Sequence, residues 1–390
     1  MHENINYNSF TNVSSYFKKI DYNYYWKFLL LIGTFYILPS VQFVIFQYKD
    51  YNSTQICYYN NKCKKDFYFI PAFNNVISNS LYILFGLIYI IIVKKNRINN
   101  DDPISCGINN SKAIYYSLGL IMIFEGLCSS IFHLCPSVIN FQFDTTFMFL
   151  GCALTFISIY QKRHIAPYPM KVYSLAALLI FFNTLPIYGL STELEICFWI
   201  CIFLIMSYIM IFGSIHLYYD MDYDFDIATF KTLYYNLKHI KKHEYPKLIL
   251  ICMLNGFTLG MYIYATITKP NFTDWLLGVS IINLMIYFIY YLILKVRNKE
   301  RISPLIWIWI VIDIITISIS LVFFLTAVTN KFLPMDDSNN LNKGCVLFSY
   351  FDYHDIWHIV SSIGLFIFIN IIFFIDNNIE YTVVQEIGIF

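Results

Sequence analysis

Three histidines with helical spacing carry the chemistry that this sequence suggests. His354 and His358 lie four residues apart in the stretch HDIWH, so a helix places them on one face, one turn apart. The same spacing separates Ser129 from His133, and Glu125 lies four residues before Ser129. Zinc in proteins is bound by imidazole nitrogens together with a carboxylate or a water. The pattern predicts a zinc site with His133, His354 and His358 as ligands.

Asp144 is the carboxylate expected to complete this site, because it follows His133 after a short loop at 135–140. If Asp144 binds zinc directly, the site is closed and four-coordinate, as in structural zinc sites. If Asp144 instead holds a water at an open position, the site is catalytic, because zinc lowers the pKa of such a water to about 7. The residue types leave both roles of Asp144 open.

Two further side chains on the first of these helices are assigned supporting roles. Ser129 would bind a substrate oxygen or stabilise an oxyanion; its alternative role is a hydrogen bond to the backbone carbonyl one turn earlier. Glu125, one turn deeper in the same helix, would support the ligands through second-sphere hydrogen bonds. Ser129 and Asp144 are therefore the predicted catalytic residues.

The elements that carry these residues are predicted to be membrane-spanning helices. Apolar types make up 58% of the sequence, charged types only 13%, and the mean hydropathy is +0.56. Soluble globular chains contain about 25% charged residues. This composition excludes a disordered chain, a disulfide scaffold and an ordinary cytosolic enzyme, and the net charge of +1 gives no sign of a nucleic-acid binder.

A membrane span needs about 20 mostly apolar residues. Ten runs of this kind occur, at about 27–47, 74–93, 113–134, 142–160, 170–190, 194–217, 247–267, 273–294, 304–328 and 353–375. The predicted fold is all-α, a polytopic membrane helical bundle of about ten transmembrane helices with no soluble domain. The predicted organisation is a cytosolic tail at 1–26, a transmembrane domain at 27–376 and a cytosolic C-terminal tail at 377–390.

Loop charges predict the orientation of the bundle. One set of loops and tails holds 19 Lys and Arg, and the opposite set holds seven. Since cytosolic loops carry the excess of cations, both termini are predicted to be cytosolic and the zinc site to lie at the outer face. Asn52 and Asn271 are then predicted glycosylation sites. The plasma membrane, lysosomes and other endomembranes are all compatible locations. At the inner boundary, Lys162, Arg163 and His164 are expected to reach the membrane surface.

Four of the ten cysteines fall at the predicted outer face: Cys57, Cys63, Cys135 and Cys345. An even number on the oxidising side permits two disulfides with three connectivities. We expect Cys57 to pair with one of the other three.

Several stretches resemble the systemic RNA interference defective (SID) transmembrane family, within the CREST superfamily of membrane metal hydrolases. They are CYYN at 57–60, FNNVISN at 73–79, EGLCSSIFHLCP at 125–136, NFQFDTTFM at 140–148 and YFDYHDIWH at 350–358. The superfamily pattern is a Ser and a His four apart, an Asp on the next helix and a late HxxxH pair. Here that pattern falls on Ser129, His133, Asp144, His354 and His358.

The resemblance implies a zinc cofactor and the roles ascribed to the family, which are uptake of double-stranded RNA, cholesterol binding or uptake, and lipid hydrolysis. Family members carry a large β-rich extracellular region that is associated with RNA binding, and a tail of 26 residues cannot replace it. RNA transport is therefore an expectation from family analogy alone.

Three functions are weighed on these grounds. The first is a membrane protein for uptake of double-stranded RNA or cholesterol. The second is a zinc-dependent hydrolase of a membrane lipid amide or ester, similar to a ceramidase or a phospholipase. The third is a receptor or structural protein whose zinc pins helices together. The expected partners are membrane lipids or a sterol, double-stranded RNA by analogy, and a second copy of the chain in a homodimer.

Overall fold

The structure is a computed structural model, and it describes residues 23–50, 56–96, 111–164, 166–188, 190–219, 244–379, 382 and 387. Twelve α-helices occur within these ranges: α1 Tyr24–Asp50, α2 Phe73–Ser78, α3 Ser80–Lys95, α4 Lys112–Leu134, α5 Phe141–Tyr160, α6 Pro169–Thr184, α7 Thr192–Tyr219, α8 Tyr245–Thr268, α9 Phe272–Arg297, α10 Pro304–Leu325, α11 Met335–Asn340 and α12 Tyr353–Phe374. Outside the helices, the only β-type pairings among the described residues are two isolated bridges.

Nine helical segments of the described chain are long and apolar enough to cross a membrane, with α2 and α3 counted together as one. The prediction of an all-α polytopic membrane bundle is thereby confirmed. The fifth predicted run, 170–190, behaves differently, because α6 has 16 residues and passes into a 3-10 turn at Leu185–Tyr188. Pro186 lies in this turn, and proline disfavours helix at the residue before it. A helix of 16 residues is about 24 Å long, short of the ~30 Å hydrocarbon core.

Both predicted tails fall largely beyond what is described. Residues 1–22 and most of 377–390 lie outside the described ranges, as does the predicted glycosylation site Asn52. The first helix begins at Tyr24, and the last described turn is a 3-10 helix at Asn377–Ile379.

Helix α4 is the central helix of the bundle and packs against α1, α3 and α5. Glycines permit its close contact with α3. A Cβ atom on Gly126 would lie 2.9 Å from the backbone oxygen of Asn79, and one on Gly86 would lie 2.6 Å from the backbone oxygen of Gly119. This contact sets the position of the helix that carries Glu125, Ser129 and His133.

Helix α12 packs against α10, α3 and α2, and also contacts α5. His358 of α12 lies beside His133 at the end of α4, and we call this end, where α5 begins, the histidine end of the bundle. Two disulfides join the segments at this end, Cys57 to Cys135 and Cys63 to Cys345. The loop at 56–72 is thus linked both to the end of α4 and to the segment that precedes α12.

The opposite end of the bundle holds a buried ionic cluster, which differs from the expectation that its cations reach the membrane surface. The side chain of Asp376 accepts from Lys295 Nζ at 2.6 Å and from Arg163 Nη2 at 3.1 Å, and Lys162 Nζ lies 3.2 Å away. Lys162, Arg163 and His164 are at most 7% exposed. The physical reason is the nearby carboxylate after α12, which makes burial of these cations tolerable.

Candidate metal centre

The structure brings the three predicted histidine ligands together. The Nε2 atom of His358 lies 3.0 Å from Nε2 of His133 and 3.0 Å from Nε2 of His354. One ligand nitrogen from each ring lies within 4.8 Å of the other two. His133 and His358 are buried and His354 is half-buried. The cluster could hold a metal ion.

The donor chemistry of this cluster fits a shared metal better than a set of hydrogen bonds. Neutral imidazole has one donor nitrogen and one acceptor nitrogen, so Nε2 of His358 offers a single hydrogen or a single lone pair. It cannot form full hydrogen bonds with both neighbouring Nε2 atoms. Tetrahedral zinc places ligand nitrogens about 3.3 Å apart. The two observed separations of 3.0 Å are close to that value.

Three buried polar atoms on α4 and α5 make no hydrogen bond with the described residues. They are Oε2 of Glu125, Oγ of Ser129 and Oδ1 of Asp144. Ser129 is close enough to interact with the Asp144 carboxyl, although the two form no hydrogen bond of good geometry. Asp144 is not part of the group of mutually close ligand atoms. Buried polar groups normally have partners, so these atoms fit a site that receives a metal, a water or a substrate.

A capping box positions the two histidines of α12. The Asp352 side chain accepts from the backbone N–H of Asp355 at 3.0 Å, and the Asp355 side chain accepts from the backbone N–H of Asp352 at 3.0 Å. Asn60 Nδ2 donates to Asp352 at 2.8 Å, and Asn74 Nδ2 donates to Asp355 at 2.8 Å. All four side chains are buried. They fix the start of the helix on which His354 lies one turn before His358.

Aromatic rings surround the histidines. The Trp357 ring centroid lies 4.3 Å from that of His358 and 5.0 Å from that of His354. Tyr82 lies edge-on to His358 at 6.4 Å, and Phe132 lies 4.9 Å from His133. These contacts restrict the motion of the histidine rings, which would favour the binding of a metal ion.

Lys331 is a site residue that sequence reasoning missed. It lies between α10 and α11, and its charge acts on His133, His354 and Asp144. Burial lowers the pKa of Lys331 to about 8, and the carboxylates of Asp144 and Asp274 oppose this shift. No spacing rule connects position 331 with the histidines, because the loop is brought to the site by packing alone.

Asn60, Asn74, Asp352 and Asp355 were also missed as positioning residues. The sequence could have predicted Asp352 as an N-cap, because an Asp directly precedes a helical run. It could not have predicted the asparagine partners, which are distant in sequence. Asn271, a predicted glycosylation site, is half-buried and caps α9 by accepting from the backbone N–H of Asp274 at 3.2 Å.

The fold and the site can now be compared with known proteins. The family model described as dsRNA-gated channel SID-1 matches residues 2–390. Human SID1 transmembrane family member 1 is 28% identical over 388 residues, which cover 94% of this chain and 46% of that protein. Cholesterol uptake protein 1 of Caenorhabditis elegans is 25% identical over 392 residues, which cover 96% of this chain and 52% of that protein.

The chain spans about half the length of these curated relatives. The family match covers nearly every residue of the chain, including the helices that bear the three histidines. The chain is a multi-pass integral membrane protein and belongs to the family of the dsRNA-gated channel SID-1.

Proposed function

We propose that this protein is a zinc-dependent hydrolase of a membrane lipid, with its site at the histidine end of the bundle. The observation that carries the proposal is the convergence of three Nε2 atoms beside buried, unpartnered oxygens of Ser129 and Asp144. His133, His354 and His358 would hold the metal. Zinc, when bound, supplies a Lewis acid that lowers the pKa of a coordinated water to about 7.

Three side chains near the metal site are assigned the other catalytic roles. Asp144 Oδ1 accepts a hydrogen bond from the attacking water and takes its proton as a general base. The Ser129 hydroxyl donates to the oxygen of the scissile carbonyl, where negative charge develops. Glu125, on the neighbouring helix and with Oε2 buried without a partner among the described residues, would help to orient Asp144. The exclusion of Asp144 from the group of mutually close ligand atoms favours this open arrangement over a closed structural site.

Metal content and hydrolysis test the proposal in one set of variants. Purified wild type should contain about one zinc per chain, and His358→Ala should lose it because a ligand is removed. Asp144→Asn should keep the zinc yet hydrolyse ceramide and phospholipid ~100- to 10,000-fold more slowly. Asp336→Asn, which alters an exposed carboxylate in the first turn of α11, is the matched control.

The alternatives give different results in these variants. If Asp144→Asn and His358→Ala both lose zinc, Asp144 is a fourth ligand. The site is then a closed structural zinc site and the hydrolase proposal is wrong. If wild type contains no zinc after purification with zinc present, the histidines serve as interhelical contacts instead.

We propose sterol binding as a second function, because one relative is named a cholesterol uptake protein and a lipid-facing cleft suits a sterol. The cleft has a volume of about 420 Å³, and aromatic rings of Trp309, Phe366 and Phe374 line it together with Ile367. Ile367→Trp should fill the cleft and abolish cross-linking of a photoactivatable cholesterol. Val311→Trp, on an exposed position of α10, should leave cross-linking intact. Equal labelling of both variants would contradict the assignment.

Uptake of double-stranded RNA is a proposal that rests on family membership. The location of both termini in the cytosol is likewise proposed. Its support is the pairing of four cysteines at the histidine end, since disulfides persist on the oxidising side of a membrane. Cells that express the chain and do not take up labelled double-stranded RNA would contradict the first of these proposals.

A further inference from the structure

Among the described residues, Lys331 has no counter-ion, although it lies near the candidate metal centre. Its Nζ atom lies 3.1 Å from the centroid of the Phe141 ring and 5.0 Å from that of Phe332. Among the described residues, Nζ makes neither a hydrogen bond nor an ion pair. The side chain is half-buried. Aromatic faces attract an ammonium, but they do not replace the oxygen ligands that water would supply.

The neighbouring acids do not satisfy this cation. Asp144 and Asp274 are near enough for an electrostatic effect on Lys331, yet neither is within 4.0 Å of Nζ. Asp352 and the Oδ2 atom of Asp355 are engaged by the capping box and its two asparagines, and no described carboxylate oxygen lies within 4.0 Å of Lys331 Nζ. Among the described residues, a positive group without an ion-pair partner therefore lies near the histidine cluster, in the segment between α10 and α11.

We propose that Lys331 binds the phosphate group of the substrate lipid and so selects phosphate-bearing lipids over neutral ones. This inference rests on the proposed hydrolase function. An anionic oxygen would give Nζ a charge-assisted hydrogen bond that no described residue provides. A lipid whose head group lies at this level would place its ester region deeper, toward Ser129 and the histidines.

A lipid is a better match than a nucleic acid for this single cation. Nucleic acids are bound through many phosphate contacts along a surface of Lys and Arg. Lys331 provides a single half-buried ammonium that contacts the rings of Phe141 and Phe332. This arrangement suits one phosphate at the end of an apolar lipid chain.

The test compares Lys331→Gln with Lys343→Gln in the full chain, purified in detergent. Lys343 is the matched control, because it is an exposed cation at the same end of the bundle, 5.4 Å from the Tyr353 ring. The probes are dihexanoyl phosphatidylglycerol and dihexanoyl glycerol, which differ by the anionic phosphoglycerol head group. Binding is measured by calorimetry, and zinc content is measured in the same samples.

Wild type and Lys343→Gln should bind dihexanoyl phosphatidylglycerol about 10- to 100-fold more tightly than dihexanoyl glycerol, a range typical of one charged hydrogen bond. Lys331→Gln should lose that preference while it keeps its zinc. A preference retained in Lys331→Gln, or absent in wild type, would overturn the inference. If micromolar inorganic phosphate displaces dihexanoyl phosphatidylglycerol, Lys331 binds a free phosphate anion, and the proposal that its ligand is a lipid is wrong.

Zinc content separates this inference from the proposed function. Loss of phosphate preference with zinc retained supports Lys331 as a specificity residue. Absence of zinc in wild type overturns the hydrolase, whatever the lipid preference.

Discussion

Replacement of Asp376 with Asn should destabilise the bundle more than any change of an exposed charge. The Asp376 carboxylate accepts from Lys295 Nζ at 2.6 Å, from Tyr291 Oη at 2.6 Å and from Arg163 Nη2 at 3.1 Å. Lys162 Nζ lies 3.2 Å from its second oxygen. The side chains of these charged residues are at most 4% exposed, so water cannot take over the lost interaction.

The magnitude follows from what the substitution keeps and what it removes. Asn has the same shape and can still accept from Tyr291, so the change removes the charge and leaves no large cavity. Removal of one partner from a buried ion pair costs about 3–5 kcal/mol. Glu300 still pairs with Arg163 and Lys295, which keeps the loss at the lower end of that range. A loss of about 3 kcal/mol lowers the ratio of folded to unfolded protein by roughly 100-fold.

Unfolding of the detergent-solubilised protein by SDS, followed by tryptophan fluorescence, measures this loss. Glu195→Gln is the control, because its partner Lys269 is 61% exposed and an exposed pair contributes about 0–1 kcal/mol. Zinc content at low temperature should not change in either variant, since the cluster lies at the opposite end from the histidines. A loss below about 1 kcal/mol for Asp376→Asn would refute the view that burial makes this cluster strong.

Three further changes test the rest of the architecture. Asn74→Ala removes the donor to the capping box of α12 and should weaken zinc affinity about 10- to 100-fold, as measured by chelator competition. Cys135→Ser breaks the bond to Cys57 and should lower the free energy of unfolding by about 2–4 kcal/mol, as measured by SDS unfolding against oxidised wild type. Gly126→Val should cost about 1–3 kcal/mol in thermal unfolding, whereas Gly256→Val, with no atom within 4 Å of its new Cβ, should be near neutral.

Contrary results have specific meanings. Unchanged zinc affinity in Asn74→Ala would mean that α12 positions its histidines without the asparagine. A Cys135→Ser variant as stable as wild type would mean that helix packing alone holds the loop at 56–72. Equal melting of the two glycine variants would mean that α3 and α4 can separate at little cost.

Local patterns determined the spans and the pairing of His354 with His358. Hydropathy summed over about 20 residues depends on no distant contact, so nine of the ten predicted runs form helices of sufficient length within the described chain. Four-residue spacing fixes a shared helical face in any α-helix, and it therefore predicted which side chains of α4 and α12 face the site. Even α6 ended early for a local reason, the proline of its 3-10 turn.

The distance between His133 and His358 was beyond the reach of local patterns, because they lie on different helices that are 225 residues apart. The relation of Asp144 to the histidine cluster was equally undetermined, since a helical register does not say how far one helix lies from another. Only the packing of α4 and α12 against α3, and of α4 against α5, brought the three rings together and left Asp144 out of the group of mutually close ligand atoms.

Composition and spacing alone determined that this chain is a membrane bundle with a candidate metal site of three histidines. The tertiary structure decided how its charges are neutralised: Lys162 pairs with Asp376, more than 200 residues away, whereas Lys331 lies at the site with no counter-ion among the described residues. The physical reason is that a charge interacts with whatever packing places within a few ångströms of it, and the order of residues along the chain does not encode that distance.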